Sequence, residues 1–141
     1  MEYRKFADTY IVRLDRGEEV GACLTALCQK EKIRLGSIEG LGAADHVVMG
    51  LYSVEERQYH KVERNEPMEI TSLLGNVSEK DGEVYLHIHI NVCDESMSVT
   101  GGHLNECRIA ATCELFIRVL DGQVGRKLDE AVTGLNLYEF D

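Results

Sequence analysis

The segment Glu83–Val92 reads E-V-Y-L-H-I-H-I-N-V and alternates without a break. Val84, Leu86, Ile88, Ile90 and Val92 fall on one face of a strand, and Tyr85, His87, His89 and Asn91 fall on the other. A strict period of two is the signature of a half-buried β-strand. Asp81-Gly82, just before it, is a two-residue hairpin signal that joins it antiparallel to a strand over Met68–Ser78. One apolar and one polar face mark an antiparallel sheet with a single side on the core.

Working outward, Cys107–Val119 repeats the alternation. Cys107, Ile109, Ala111, Cys113, Leu115, Ile117 and Val119 are expected to face the core, with Arg108, Ala110, Thr112, Glu114, Phe116 and Arg118 opposite. Tyr10, Val12 and Leu14 define a first strand. Asp15-x-x-Glu18 resembles a capping box with Asp15 as the cap. Val20, Cys23, Leu24, Leu27 and Cys28 then recur at helical spacing, so one amphipathic helix lies on the sheet and Gly36 ends the helical reading. Ser37–Ala44 and His46–Ser53 read as strand, Arg57–Glu63 as a polar edge, and Leu135–Phe140 as a short closing strand. The expected fold class is α+β, a mainly antiparallel β-sheet with flanking helices, formed by a single domain over residues 1–141.

The 141 residues suit one core, with 44% hydrophobic and 28% charged residues. No window approaches the ~18 to 20 apolar residues of a membrane span, and no secretory signal precedes Asp8. Fifteen basic against 25 acidic residues give a net charge of −10, which disfavours a stand-alone nucleic-acid binder. The basic groups Lys30, Lys32, Arg34 and Arg126-Lys127 read as solvated ends. Five cysteines, odd in number and without a C-x-x-C pair, point to reduced thiols and a cytoplasmic setting.

The chemistry concentrates in H-I-H (87–89) and G-G-H (101–103). A strand places His87 and His89 on one face with Cβ atoms about 6 to 7 Å apart. Gly101-Gly102 is expected to allow a turn that returns His103 to the same point. Three neutral imidazoles make the ligand set of an open divalent metal site, zinc being the expected ion, with a position left for water, substrate or a fourth ligand. Glu114 is a candidate for that position or for orienting a ring, while Cys93 and Cys107 flank the cluster. His46 and His60 are expected to be ordinary surface or core residues. There is no G-x-S-x-G, no P-loop and no helix-opening G-x-G-x-x-G.

At P-M-E-I-T-S-L-L-G-N-V-S (67–78), L-H-I-H-I (86–90), G-G-H-L (101–104) and A-A-T-C-E-L (110–115), the chain resembles the plants and prokaryotes conserved (PPC) domain family, as does G-L-G-A-A-D (40–45). The resemblance runs from about Tyr10 to Tyr138. It implies homotrimers with the histidines near a subunit boundary, and carries a metal role onto His87, His89 and His103. Plant members pair the domain with an AT-hook that grips DNA. That hook needs Gly-Arg-Pro, whereas Gly125-Arg126 is followed here by Lys127, so the stand-alone prokaryotic type is expected. Its role is expected to be assembly, regulation or ligand sensing rather than catalysis. Ala110, Thr112 and Phe116 could be buried between copies or under a second layer of the same chain. The alternative is a metalloenzyme with a cupin-like three-histidine site, since H-x-H, Glu95 and Gly101 nearly reproduce a cupin motif; a DNA-binding regulator is the third reading.

Overall fold

A computed structural model describes residues 1–140. Its elements are β1 (Glu2–Phe6), β2 (Thr9–Asp15), α1 (Val20–Glu31), β3 (Gly36–Ser53), β4 (Gln58–Arg64), β5 (Met68–Lys80), β6 (Glu83–Cys93), β7 (Val99–Val119), β8 (Gly125–Leu128) and β9 (Asn136–Glu139). Seven strands form one antiparallel sheet in the order β1-β2-β7-β6-β5-β3-β4, and β8–β9 is a separate hairpin. Strand β3 also pairs with β7 along most of its length. That extra pairing closes β3, β5, β6 and β7 into a ring. The mainly antiparallel expectation holds, but the flanking helices reduce to α1 alone among the described residues. No helix there is long and apolar enough to cross a membrane.

The helix forms where its stripe predicts. Val20, Leu24, Leu27 and Cys28 are buried, in one core cluster with Ile88, Ile90 and Val92 of β6 and Cys107, Ile109, Cys113, Leu115 and Ile117 of β7. Its cap differs from expectation. Glu19, not Asp15, accepts from the Gly21 and Ala22 N–H groups at 3.0 and 2.6 Å. Glu18 instead accepts from the Asp15 N–H at 2.8 Å and pairs with the amino terminus, tying the helix entry to β2. The helix stops at Glu31, before Gly36, because Lys32 takes a left-handed conformation (φ 56°) and the Ile33 N–H closes on the Cys28 carbonyl at 2.9 Å. The Asp81-Gly82 hairpin is as read, with both residues at positive φ.

Three register shifts separate β3 from β7. Gly42 pairs with Cys113 while Ala44 pairs with Ile109, so β7 bulges over residues 110–112 and Ala111 turns outward instead of into the core. Further along, Val48 pairs with Glu106 but Met49 with Leu104, leaving Asn105 as one extra residue.

The β6–β7 connection is fixed by Asp94. Its carboxylate accepts from the Ser96 hydroxyl (2.6 Å), the Ser96 N–H (2.9 Å) and the Ser98 N–H (3.3 Å), and pairs with Arg64 of β4 at 3.0 Å. The Ser96 hydroxyl first, and Arg64 next, hold the Asp94 carboxyl down at about 2. A depressed carboxyl stabilises the fold above its unfolded value of about 3.9, and that contribution fades as pH falls through the folded value. Asp94→Asn should therefore lower the urea midpoint at pH 7, with the gap to wild type closing between about pH 4 and pH 2. A gap independent of pH across that window would show that the carboxylate charge is not what holds the turn.

Candidate metal centre

The two histidines of β6 lie opposite the core face, as their alternation requires. His103 reaches the same face by another route. Counted back from Cys107 and Ile109, both buried, an unbroken strand would point residue 103 inward. The extra residue Asn105 reverses that parity, so Leu104 packs against the core and His103 turns to the outer face. There His103 pairs with His89 on one side and Gly50 of β3 on the other.

The expected glycine turn is not how His103 is delivered. Gly101 and Gly102 are regular β7 residues and are absent from the positive-φ positions. They are required by close approach. A Cβ on Gly101 would sit 2.0 Å from Asn91 Oδ1 and 2.6 Å from the Ile90 carbonyl, and one on Gly102 would sit 2.8 Å from the Gly50 carbonyl. Bare backbone at both positions lets β6, β7 and β3 draw together behind the histidines.

The three rings converge. Centroid separations are 5.2 Å for His87–His89, 5.3 Å for His87–His103 and 5.6 Å for His89–His103, and one nitrogen from each ring lies within 4.8 Å of the others. Among the described residues this group contains no acid and no thiol. Tyr59 of β4 lies against the His103 ring at 5.0 Å, in space left by the missing side chain of Gly50, and Tyr52 packs on Tyr59 at 5.0 Å. Burial first, then His89 and the Arg126 guanidinium, pull the His87 imidazole below its ordinary value. Burial, with His87 and His89 behind it, takes His103 down to about 4. Both effects keep the rings in the neutral form that donates to a metal.

The other candidates lie elsewhere. Glu114 is eleven positions along β7, on the order of 30 Å of strand path away, opposite Arg13 and Leu41. Cys107 is buried in the core, where desolvation pushes its thiol up to about 12, and Cys93 is buried at the end of β6. Glu95 sits in the exposed Asp94–Ser98 turn and is not in the three-histidine group. His46 bonds Asn65 at 2.7 Å and lies 3.3 Å from Glu106, and His60 meets Glu56 at 2.7 Å, so both are ordinary surface pairs as expected.

Two neighbours of the site were not anticipated. Tyr59 comes from a polar edge run with no visible motif. Arg126, read as a solvated end, is instead held over the outer face of β5–β6. It donates to Ser78 Oγ (2.7 Å), the Asn136 carbonyl (2.9 Å) and Asn76 Oδ1 (3.0 Å), and its guanidinium lies 4.5 Å from the Tyr85 ring and 4.3 Å from Tyr138. Asn76 is the direct cross-strand partner of His87.

Deleting Asn105 should return His103 to the core side. Cobalt binding followed by visible absorption should then fall by about a hundredfold or more, as loss of one of three ligands demands. Circular dichroism would report whether the strands persist. A folded deletion variant with wild-type cobalt affinity would contradict the bulge's role.

Solved structures similar to the chain include a protein from Bacteroides thetaiotaomicron described as a candidate for DNA binding, at 31% identity and TM-score 0.95, covering 99% of this chain and 96% of that one. A metal-containing protein from Archaeoglobus fulgidus matches at 35% identity and TM-score 0.88, again over 99% and 96%. A plant- and prokaryote-conserved (PPC) protein from Pyrococcus horikoshii matches at 30% identity and TM-score 0.86, over 99% and 94%. No curated protein matches the chain. The sequence profile of the Plants and Prokaryotes Conserved (PCC) domain covers residues 1–121, stopping short of the β8–β9 hairpin that the resemblance had included. With nearly the whole closed sheet inside that match, the chain belongs to the Plants and Prokaryotes Conserved (PCC) domain family.

Proposed function

We propose that this chain is a metal-binding module of its family. In this reading His87, His89 and His103 hold one divalent cation of zinc type, and the module assembles as a homotrimer with a regulatory or ligand-sensing role in the cytoplasm. The observation that carries it is the convergence of three imidazoles, two of them kept neutral by burial, with no other donor type among them. An all-nitrogen set of three suits zinc and leaves a coordination position open. The Archaeoglobus relative is described as metal-containing, which supports the same reading.

Assembly is supported by an apolar patch on β1, β2 and β7. Phe6, Ile11 and Phe116 are 52%, 42% and 47% exposed, and Ile11 and Phe116 are direct cross-strand partners. Cyclic burial between three identical copies would cover them. The five unpaired thiols suit a reducing compartment. Although one relative is described as a candidate for DNA binding, a net charge of −10 and the engagement of Arg126 between two tyrosines do not favour DNA as the partner here. A metalloenzyme using the three-histidine site is the second reading, favoured by the open position alone. A cation there would act as a Lewis acid and lower the pKa of a bound water.

In the double variant His87→Ala/His89→Ala, metal measured by inductively coupled plasma spectrometry should drop from about one ion per chain to background. The circular dichroism spectrum should hold, because both side chains lie off the core. Metal content equal to wild type would refute the ligand assignment. Sedimentation equilibrium of the wild type should give three chains in mass; a monomer at micromolar concentration would refute the assembly.

A further inference from the structure

Arg126 is a part-buried cation with no counter-charge among the described residues. Among the described residues it makes no ion pair, and its hydrogen bonds all go to neutral acceptors. Both faces of its guanidinium are covered, by Tyr85 on β6 and Tyr138 on β9. What remains for a ligand is the N–H groups without an acceptor. Of five N–H groups, three are used, which leaves one on each terminal nitrogen. Holding the fork in this way costs its side-chain freedom in advance, so what it binds gains from that preorganisation.

Its position ties it to the histidines. Arg126 bonds Asn76, and Asn76 stands directly across the β5–β6 ladder from His87, where cross-strand Cβ atoms are about 5 Å apart. On the far side of the cluster, Lys61 pairs with Gly50, the cross-strand neighbour of His103. A divalent ion on three neutral imidazoles would thus sit beside one held cation, Arg126, and near an exposed one, Lys61, with no carboxylate in the ligand group. Such a site holds positive charge with no anion among its ligands, and where it is part-buried, at His87, His103 and Arg126, that imbalance favours an anionic ligand.

We propose that Arg126 completes the site as the receptor for a small carboxylate ligand. One oxygen of the ligand takes the open position on the metal, and a planar carboxylate accepts from the free N–H groups of the guanidinium. A planar two-oxygen acceptor matches the guanidinium fork with two parallel hydrogen bonds. The β8–β9 hairpin is then the element that brings the anion receptor to the metal site. This inference rests on the metal reading of the three histidines.

The test uses the full chain loaded with cobalt(II), whose visible spectrum changes when its coordination changes. Wild type, Arg126→Gln and Arg126→Lys are each titrated with malonate, and separately with imidazole, a neutral ligand that needs only the open metal position. Malonate affinity should fall about tenfold or more in Arg126→Gln, with Arg126→Lys between, while imidazole affinity stays the same in all three. Equal malonate affinity in wild type and Arg126→Gln would overturn the carboxylate receptor and leave the metal site standing. Loss of imidazole binding in Arg126→Gln would also overturn it, because Arg126 would then be propping the histidines rather than binding the anion. Failure of the wild type to take up cobalt would overturn the metal reading first, and this one with it.

Discussion

One extra residue in a strand decides where the third imidazole points. Side chains alternate along β7, and both Cys107 and His103 occupy odd positions, yet Cys107 is in the core and His103 is opposite it. Only an odd insertion between them permits both. Asn105 is that insertion, and it is paid for locally: its Oδ1 is buried beside Gly50 with no partner among the described residues. The cost of a lone buried acceptor, about 1 to 3 kcal/mol, is carried by the pairing on either side. Everything proposed for the site depends on that reversal.

The rest of the fold supports the same point. Ring closure through β3–β7 gives His103 partners on both edges, so its strand cannot slip without breaking two ladders. Gly50, Gly101 and Gly102 let the three backbones approach, and Tyr59 fills the space over Gly50 against the His103 ring. Asp94 and Arg64 hold the turn that brings β6 back as β7. The result is a cluster in which His87 and His103 are partly withdrawn from water and therefore stay neutral, at the boundary between the closed sheet and the C-terminal hairpin that carries Arg126.

Much of this was legible in the chain. Alternation through Glu83–Val92, the Asp81-Gly82 turn and the helical stripe from Val20 to Cys28 each reflect a local period, and each element formed where that period placed it. Strand β1 was missed because Glu2–Phe6 is an exposed edge with only Tyr3 half-buried, leaving no alternation to read. The bulge at Asn105 has no composition signal. The parity conflict between His103 and Cys107 was nevertheless present in the numbering, and it demanded an irregularity that the glycine pair was wrongly asked to supply. Glu114 shares a nominal face with the site, but distance along β7 removes it. Arg126 and Tyr59 arrive through long-range packing of a terminal hairpin and an edge strand, which no short-range pattern encodes.

The central claim is that His87, His89 and His103 meet at one cation. Crystals grown with zinc at neutral pH, measured on both sides of the zinc absorption edge, test it most directly. One anomalous peak per chain is expected, about 2.0 to 2.1 Å from a nitrogen of each of the three rings. A peak bound elsewhere, or three rings in density with no peak between them, would contradict it.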